Sequence, residues 1–189
     1  ASVSEWENHE SIVYKGLSQY QKDGYNSLVE IADHYSGAFL CYGVGLGKTF
    51  VGLMLIERFV KKERKNVVLM VPASARISVW ETTIKKYIPE ILEGFYSFKI
   101  INHTDLLLEK NQNLMQQITD QAEIVVIDEA HHFRNRTSNR YRKLFEMMAA
   151  GLPVVDFCLD NNVYDFPEDG CLLAEPDARA VAAAILQIY

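Results

Sequence analysis

Two short clusters of residues in this chain have the types and spacing needed for phosphate chemistry. Gly43, Gly45 and Gly47 alternate with other residues just before Lys48 and Thr49. Glycines so placed let successive backbone N–H groups turn towards one anion, while the lysine adds a point charge for the β- and γ-phosphates and the threonine hydroxyl suits magnesium. The strict pattern asks for glycine at position 42, where Tyr42 stands, so the match rests on Gly45-Leu46-Gly47-Lys48-Thr49 and its flanks. Those flanks are an apolar, strand-like run at 38–41 and a helix-like run at 50–60, the setting in which a helix N-terminus adds its positive end. A nucleoside triphosphate is the expected ligand.

The second cluster lies about eighty residues further on, where the apolar run 124–127 ends in Asp128 and Glu129. An aspartate at a strand's end can hold the magnesium complex, and the neighbouring glutamate can polarise the water that attacks the γ-phosphate. His131 and His132 follow. Adjacent histidines do not readily ligate one ion and no other ligands lie at metal spacing, so zinc is not expected. His131 is expected to couple the nucleotide site to neighbouring loops.

These clusters need a scaffold that brings them together. Strand-like runs at 38–41, 66–71, 98–102 and 123–127 alternate with helix-like runs at 50–62, 74–87 and 104–119. That alternation, with continuous apolar strands, predicts an α/β fold with a mostly parallel sheet covered on both faces, its ligand at the carboxyl ends of the strands. Thr104 and Asp105 are expected to cap the third helix, and Pro72 to end the second strand. The chain has 189 residues, 49% hydrophobic and 23% charged, an ordinary globular balance. No apolar run approaches the roughly 18–20 residues that span a bilayer, so no membrane partner is expected. Three cysteines without a C-x-x-C pair, and a polar start with no secretory pattern, fit a reducing, cytoplasmic setting.

The net charge of −6 is unevenly spread. Residues 1–145 carry 18 basic and 17 acidic side chains, and residues 146–189 carry one and eight. This step marks a candidate boundary between units 1–145 and 146–189. Within the first unit, basic residues cluster at 58–65 and at Arg134, Arg136, Arg140, Arg142 and Lys143. Either cluster suits a phosphate backbone; for 58–65 a solvated helix face is an equal expectation.

Asp128-Glu129-Ala130-His131 is the DEAH form of the Walker B motif, and the run to Asn135 resembles that of Snf-type helicase-like ATPases of helicase superfamily two. Leu17-Ser18-Gln19-Tyr20-Gln21-Lys22-Asp23-Gly24 is similar to that family's L-x-x-Y-Q-x-x-G element, Gly45 to Thr49 is its GLGKT, and Val71-Pro72-Ala73-Ser74 with Trp80 resembles its motif Ia. The resemblance covers about 12–145. It implies a three-layer RecA-like P-loop sheet that binds ATP and magnesium. Gln21 would contact adenine, Gly43, Gly45, Leu46, Gly47, Lys48 and Thr49 the phosphates, Thr49 and Asp128 magnesium, and Glu129 with Lys48 would carry catalysis. It further implies a nucleic-acid partner, double-stranded DNA, along motif Ia. It also implies a Ser/Thr-Ala-Thr motif III and a second RecA-like lobe with an arginine finger; neither is found in this sequence, so hydrolysis is expected to be weak or absent.

Residues 146–155 (EMMAAGLPVV), followed by Asp169 to Asp177 and an alanine-rich run, resemble the end of the nucleotide-sugar lobe of a GT-B glycosyltransferase, with Glu146 matching one of its paired glutamates. A C-terminal β-loop-α segment is expected here, joined as a fusion or chimera and hiding a sheet edge. Two other readings follow from it: a nucleotide-sugar-binding fragment, and a noncatalytic chimeric scaffold.

Overall fold

The structure is a computed structural model that describes residues 5–35, 37–41, 46–94, 96–107, 112–133, 135, 137–149 and 154–158. Strands β1 (Gly37–Cys41), β2 (Val67–Val71), β3 (Phe98–Asn102), β4 (Ile124–Asp128) and β5 (Val154–Cys158) are short and mainly apolar. Such runs form strands buried on both faces. Among the described residues they make one five-stranded sheet, parallel throughout, in the order β1-β5-β4-β2-β3. Alternate side chains divide between two cores: Val67, Leu69, Val71, Ile124 and Val126 face one, and Val68, Met70, Val125 and Ile127 the other. The three-layer α/β sheet expected from the sequence is therefore the fold. Only β5 separates β1 from β4 in this described sheet, which sets the carboxyl ends of those two strands about 10 Å apart.

Helices between the strands depart from the simple expectation. The run at 50–62 is helix α4 (Lys48–Glu57) continued by a π-helical turn, Arg58–Lys62. The run at 74–87 is α5 (Ala73–Ala75), a π-helical stretch Arg76–Glu81, and α6 (Thr82–Tyr87). In place of one helix at 104–119 stand a 3-10 turn, His103–Leu107, and α7 (Gln112–Gln121). Asp105 accepts from the Asn102 N–H at 2.8 Å, a local turn bond in place of the expected cap of a long helix. Three helices also precede the first strand: α1 (Glu5–His9), α2 (Ile12–Gly16) and α3 (Gln19–Tyr35).

The C-terminal part corrects one expectation and leaves others aside. Strand β5 pairs with β1 and β4 and so fills the middle of the sheet, where an edge-covering position was expected. Parallel neighbours on both sides satisfy its backbone groups more fully than an edge would. Helix α8 (Asn139–Ala149) runs through the charge step at 146 and contains Glu146. The loop and alanine-rich run of the glycosyltransferase-like segment, residues 159–189, lie outside the described residues. No described helix is long and apolar enough to cross a membrane.

Helix α4 holds the key position. Every residue from Val51 to Glu57 is buried, so it needs cover on all sides. The sheet supplies one side and the N-terminal arm, α1 to α3, the other. Fully buried Glu57 locks the arm down: it accepts from the Ser11 hydroxyl at 2.5 Å and from the Ile12 and Val13 N–H groups at 3.3 Å, with Lys61 Nζ at 3.2 Å. It thereby caps α2 from outside, serving donors that a helix leaves unpaired. A second buried carboxylate, Glu7, accepts from Tyr25 at 2.7 Å and Arg58 at 2.6 Å; burial, and after it the bond to Glu7, pushes the Tyr25 hydroxyl well above its usual range.

Glu57→Ala should strand those donors and the Lys61 charge, lowering unfolding free energy by about 3 kcal/mol in urea melts. A loss below about 0.5 kcal/mol, the scale of an ordinary surface change, would contradict this role.

Candidate functional site

At the amino end of α4, Gly47 has φ +74. That left-handed conformation favours glycine, and a Cβ there would also collide with Gln21 Nε2. Gln21 is buried against the loop. Its Oε1 accepts from the Ser18 N–H and hydroxyl at 3.0 Å, and its Nε2 donates to the Leu46 carbonyl at 3.3 Å. The Tyr20 hydroxyl donates to the same carbonyl at 2.9 Å. The start of α3 thus grips the loop from behind, so Gln21 has a structural task in addition to the adenine contact that the resemblance implied. Gly43 and Gly45, with Tyr42, lie outside the described residues.

Beyond β5, strand β4 delivers Asp128, and the chain then turns at Glu129 with φ +59. A residue with a side chain pays about 1 kcal/mol or more for that conformation. Neighbouring side chains of an extended strand point to opposite faces, and the turn lets both carboxylates line one cleft. A 3-10 turn, Ala130–Phe133, follows and places His131 Nδ1 3.0 Å from Glu129 Oε2.

The cleft has a volume of about 570 Å³, within the size range of small-molecule sites. Gly47, Lys48, Thr49, Asp128, Glu129 and His131 all line it, so six of the residues singled out in the sequence converge. Gln21 and Leu46 are not in this lining; Gln21 meets the loop through the Leu46 carbonyl. Burial raises the Asp128 carboxyl above the usual carboxylate range, and the Glu129 charge adds to this. A hydrogen bond from Trp80 and the positive charge of Lys48 oppose the rise. An oxygen-rich cleft with a carboxylate and a hydroxyl at its floor fits a hard divalent cation such as magnesium. Another cavity, of about 350 Å³, lies at the opposite end of the strands near Asn66, Phe98 and Gln117 and has no acidic side chain in its lining.

The sequence reading named Trp80 only as part of motif Ia and did not foresee its bond to Asp128. It also passed over Ser74 and Val79 as cleft walls. The run Val71-Pro72-Ala73-Ser74 with Trp80 was the available signal. Of the two basic clusters, 58–65 sends three residues inward, Arg58 to Glu7 and Glu63, Lys61 to Glu57 and Glu90, and Lys62 to Glu7, and leaves Arg64 exposed. In the other, Arg140, Arg142 and Lys143 lie on α8, while Arg134 and Arg136 lie outside the described residues.

Residues 14–154 match the family described as "Type III restriction enzyme, res subunit" (ResIII). Among curated relatives, the chain is 22% identical to the chromatin structure-remodeling complex subunit snf21 of Schizosaccharomyces pombe, over 73% of this chain and 13% of that protein. It is 27% identical to the mouse DNA annealing helicase and endonuclease ZRANB3, over 70% of this chain and 13% of the relative. The chain therefore spans about an eighth of the length of these relatives. Its fold is similar to the Sulfolobus solfataricus SWI2/SNF2 ATPase core solved in complex with dsDNA, with a TM-score of 0.60 and 19% identity, over 89% of this chain and 35% of that one.

Beside the cleft, His103 is buried with its ring 4.9 Å from Phe133 and 5.4 Å from His132. Burial, with the neighbouring His132, pushes its imidazole down to about 4. A histidine held neutral in the fold stabilises above its usual value near 6.5, and that contribution is lost as pH falls towards 4. Between pH 7 and 4 the parent protein should lose on the order of 2 kcal/mol more stability than His103→Phe, whatever the variant's starting stability. Parallel pH profiles of the urea midpoint would rule this out.

Proposed function

The chain belongs to the ResIII helicase-type family, and on that premise we propose that it is the amino-terminal lobe of a Snf-type helicase and binds Mg–ATP in the cleft between the start of α4 and the end of β4. The observation that carries this is the convergence of Lys48, Thr49, Asp128 and Glu129 on one cleft. Lys48 and the amides at the start of α4 hold the β- and γ-phosphates, helped by the helix dipole. The Thr49 hydroxyl and Asp128 carboxylate are the magnesium donors. Magnesium held by these two groups would supply positive charge to offset the charge that develops on the phosphates.

Glu129 orients the attacking water, and His131, whose Nδ1 lies 3.0 Å from Glu129 Oε2, couples that carboxylate to the neighbouring turn. Gln21 reaches the adenine on the strength of the resemblance, and its bond to Leu46 ties that contact to the phosphate loop. Turnover by this stretch of chain alone is slow or absent. Among the described residues no arginine lines the cleft, and phosphoryl transfer gains several orders of magnitude from an arginine at the transferred group.

Double-stranded DNA is the proposed partner, through the basic residues at and before α8. Carboxylates within the fold already engage the cluster at 58–65. Relatives named as a DNA annealing helicase and as an ATPase core solved with dsDNA support this.

Calorimetric titration with Mg–ATP is the test. Lys48→Ala should weaken binding roughly 10- to 100-fold, the worth of a hydrogen bond to a charged group. Equal affinity in parent and variant would remove the assignment.

A further inference from the structure

Trp80 is fully buried, yet its indole does more than fill space. Its Nε1–H donates to Asp128 Oδ2 at 2.7 Å, linking residues 48 positions apart. Packing alone would be served by a phenyl ring. A buried indole N–H needs an acceptor, and here the acceptor is the carboxylate at the floor of the cleft. Given the assignment of Asp128 to magnesium above, we infer that Trp80 is a positioning residue for that carboxylate, fixing its rotation by holding Oδ2 from behind so that the other oxygen is presented to the cation.

The local backbone is built to make this contact. Trp80 lies on the π-helical stretch Arg76–Glu81, a wide turn that is rare in proteins and frequent at functional sites, although Arg58–Lys62 forms another away from the cleft. Two i, i+5 bonds match that turn: Arg76 to Glu81 at 3.0 Å, and Thr82 Oγ1 to the Ile77 carbonyl at 2.7 Å. Trp80 is turned inward to β4, while Val79 lines the cleft and Ile77 is 70% exposed. The donor's chemistry also suits the task. An arginine or lysine at this place would orient the carboxylate equally well but would repel the cation, whereas a neutral N–H leaves the carboxylate's charge for the metal.

The test separates metal from nucleotide. Affinity for ADP is measured with excess EDTA and with magnesium, in the parent and in Trp80→Phe, with the urea midpoint as a folding control. EDTA affinity should agree within about twofold, while the gain on adding magnesium should fall roughly 10- to 100-fold. An undiminished gain in Trp80→Phe would overturn the inference. A parent with no metal-dependent gain would instead remove the magnesium assignment of Asp128 on which the role of Trp80 depends. Should Trp80→Phe fail to fold, Trp6→Phe leaves Trp80 as the sole indole of the chain. Its emission should then shift when magnesium joins the ADP complex and not when ADP binds in EDTA; a spectrum indifferent to magnesium would equally overturn the inference.

Discussion

The burial of α4 on every side is the constraint from which the rest of the structure follows. A helix that carries a phosphate loop on its amino end must be fixed in space, and one that is apolar all round is fixed only when covered completely. The sheet covers one side of α4 and the N-terminal arm the other. The one acidic residue of its buried stretch, Glu57, is satisfied by donors from that arm, so a charge costly to bury becomes the specific lock between two parts of the fold. The same arm continues into α3, whose first turn holds the Leu46 carbonyl. Loop, helix and arm are therefore one mechanical unit.

The opposite wall of the cleft obeys a different logic. Asp128 and Glu129 are adjacent acids brought to one side by a strained turn, and burial works against the ionised form of Asp128. Lys48 opposes that cost from across the cleft, and Trp80 opposes it from behind with a neutral donor. The arrangement is poised for a positive guest: a divalent cation would relieve the repulsion that the two carboxylates bring to one cleft. Such strain and like charge often gather at working sites.

Much of this was legible in the sequence because local patterns carry it. Gly47 at the start of α4, the acids at the end of an apolar run and the parallel α/β alternation each depend on neighbouring residues, and the described structure contains all three. What escaped depends on distant partners. The position of β5 between β1 and β4 is set by pairing across more than a hundred residues of sequence, and no local signal distinguishes a central strand from an edge strand of like composition. The inward turn of Arg58, Lys61 and Lys62 follows from Glu7, Glu57 and Glu90, which come from three separate elements. Spacing could reveal Trp80 as part of a motif, but only the π-helical stretch shows which atom it reaches.

The central claim is that the loop after β1 and the end of β4 form one nucleotide site. Hydrogen exchange with and without a nonhydrolysable Mg–ATP analogue tests it most directly. Slowed exchange is expected together at 46–50 and at 128–132, with little change at Asn66, Phe98 and Gln117 around the other cavity. Protection confined to that other cavity, or to only one of the two cleft segments, would contradict it.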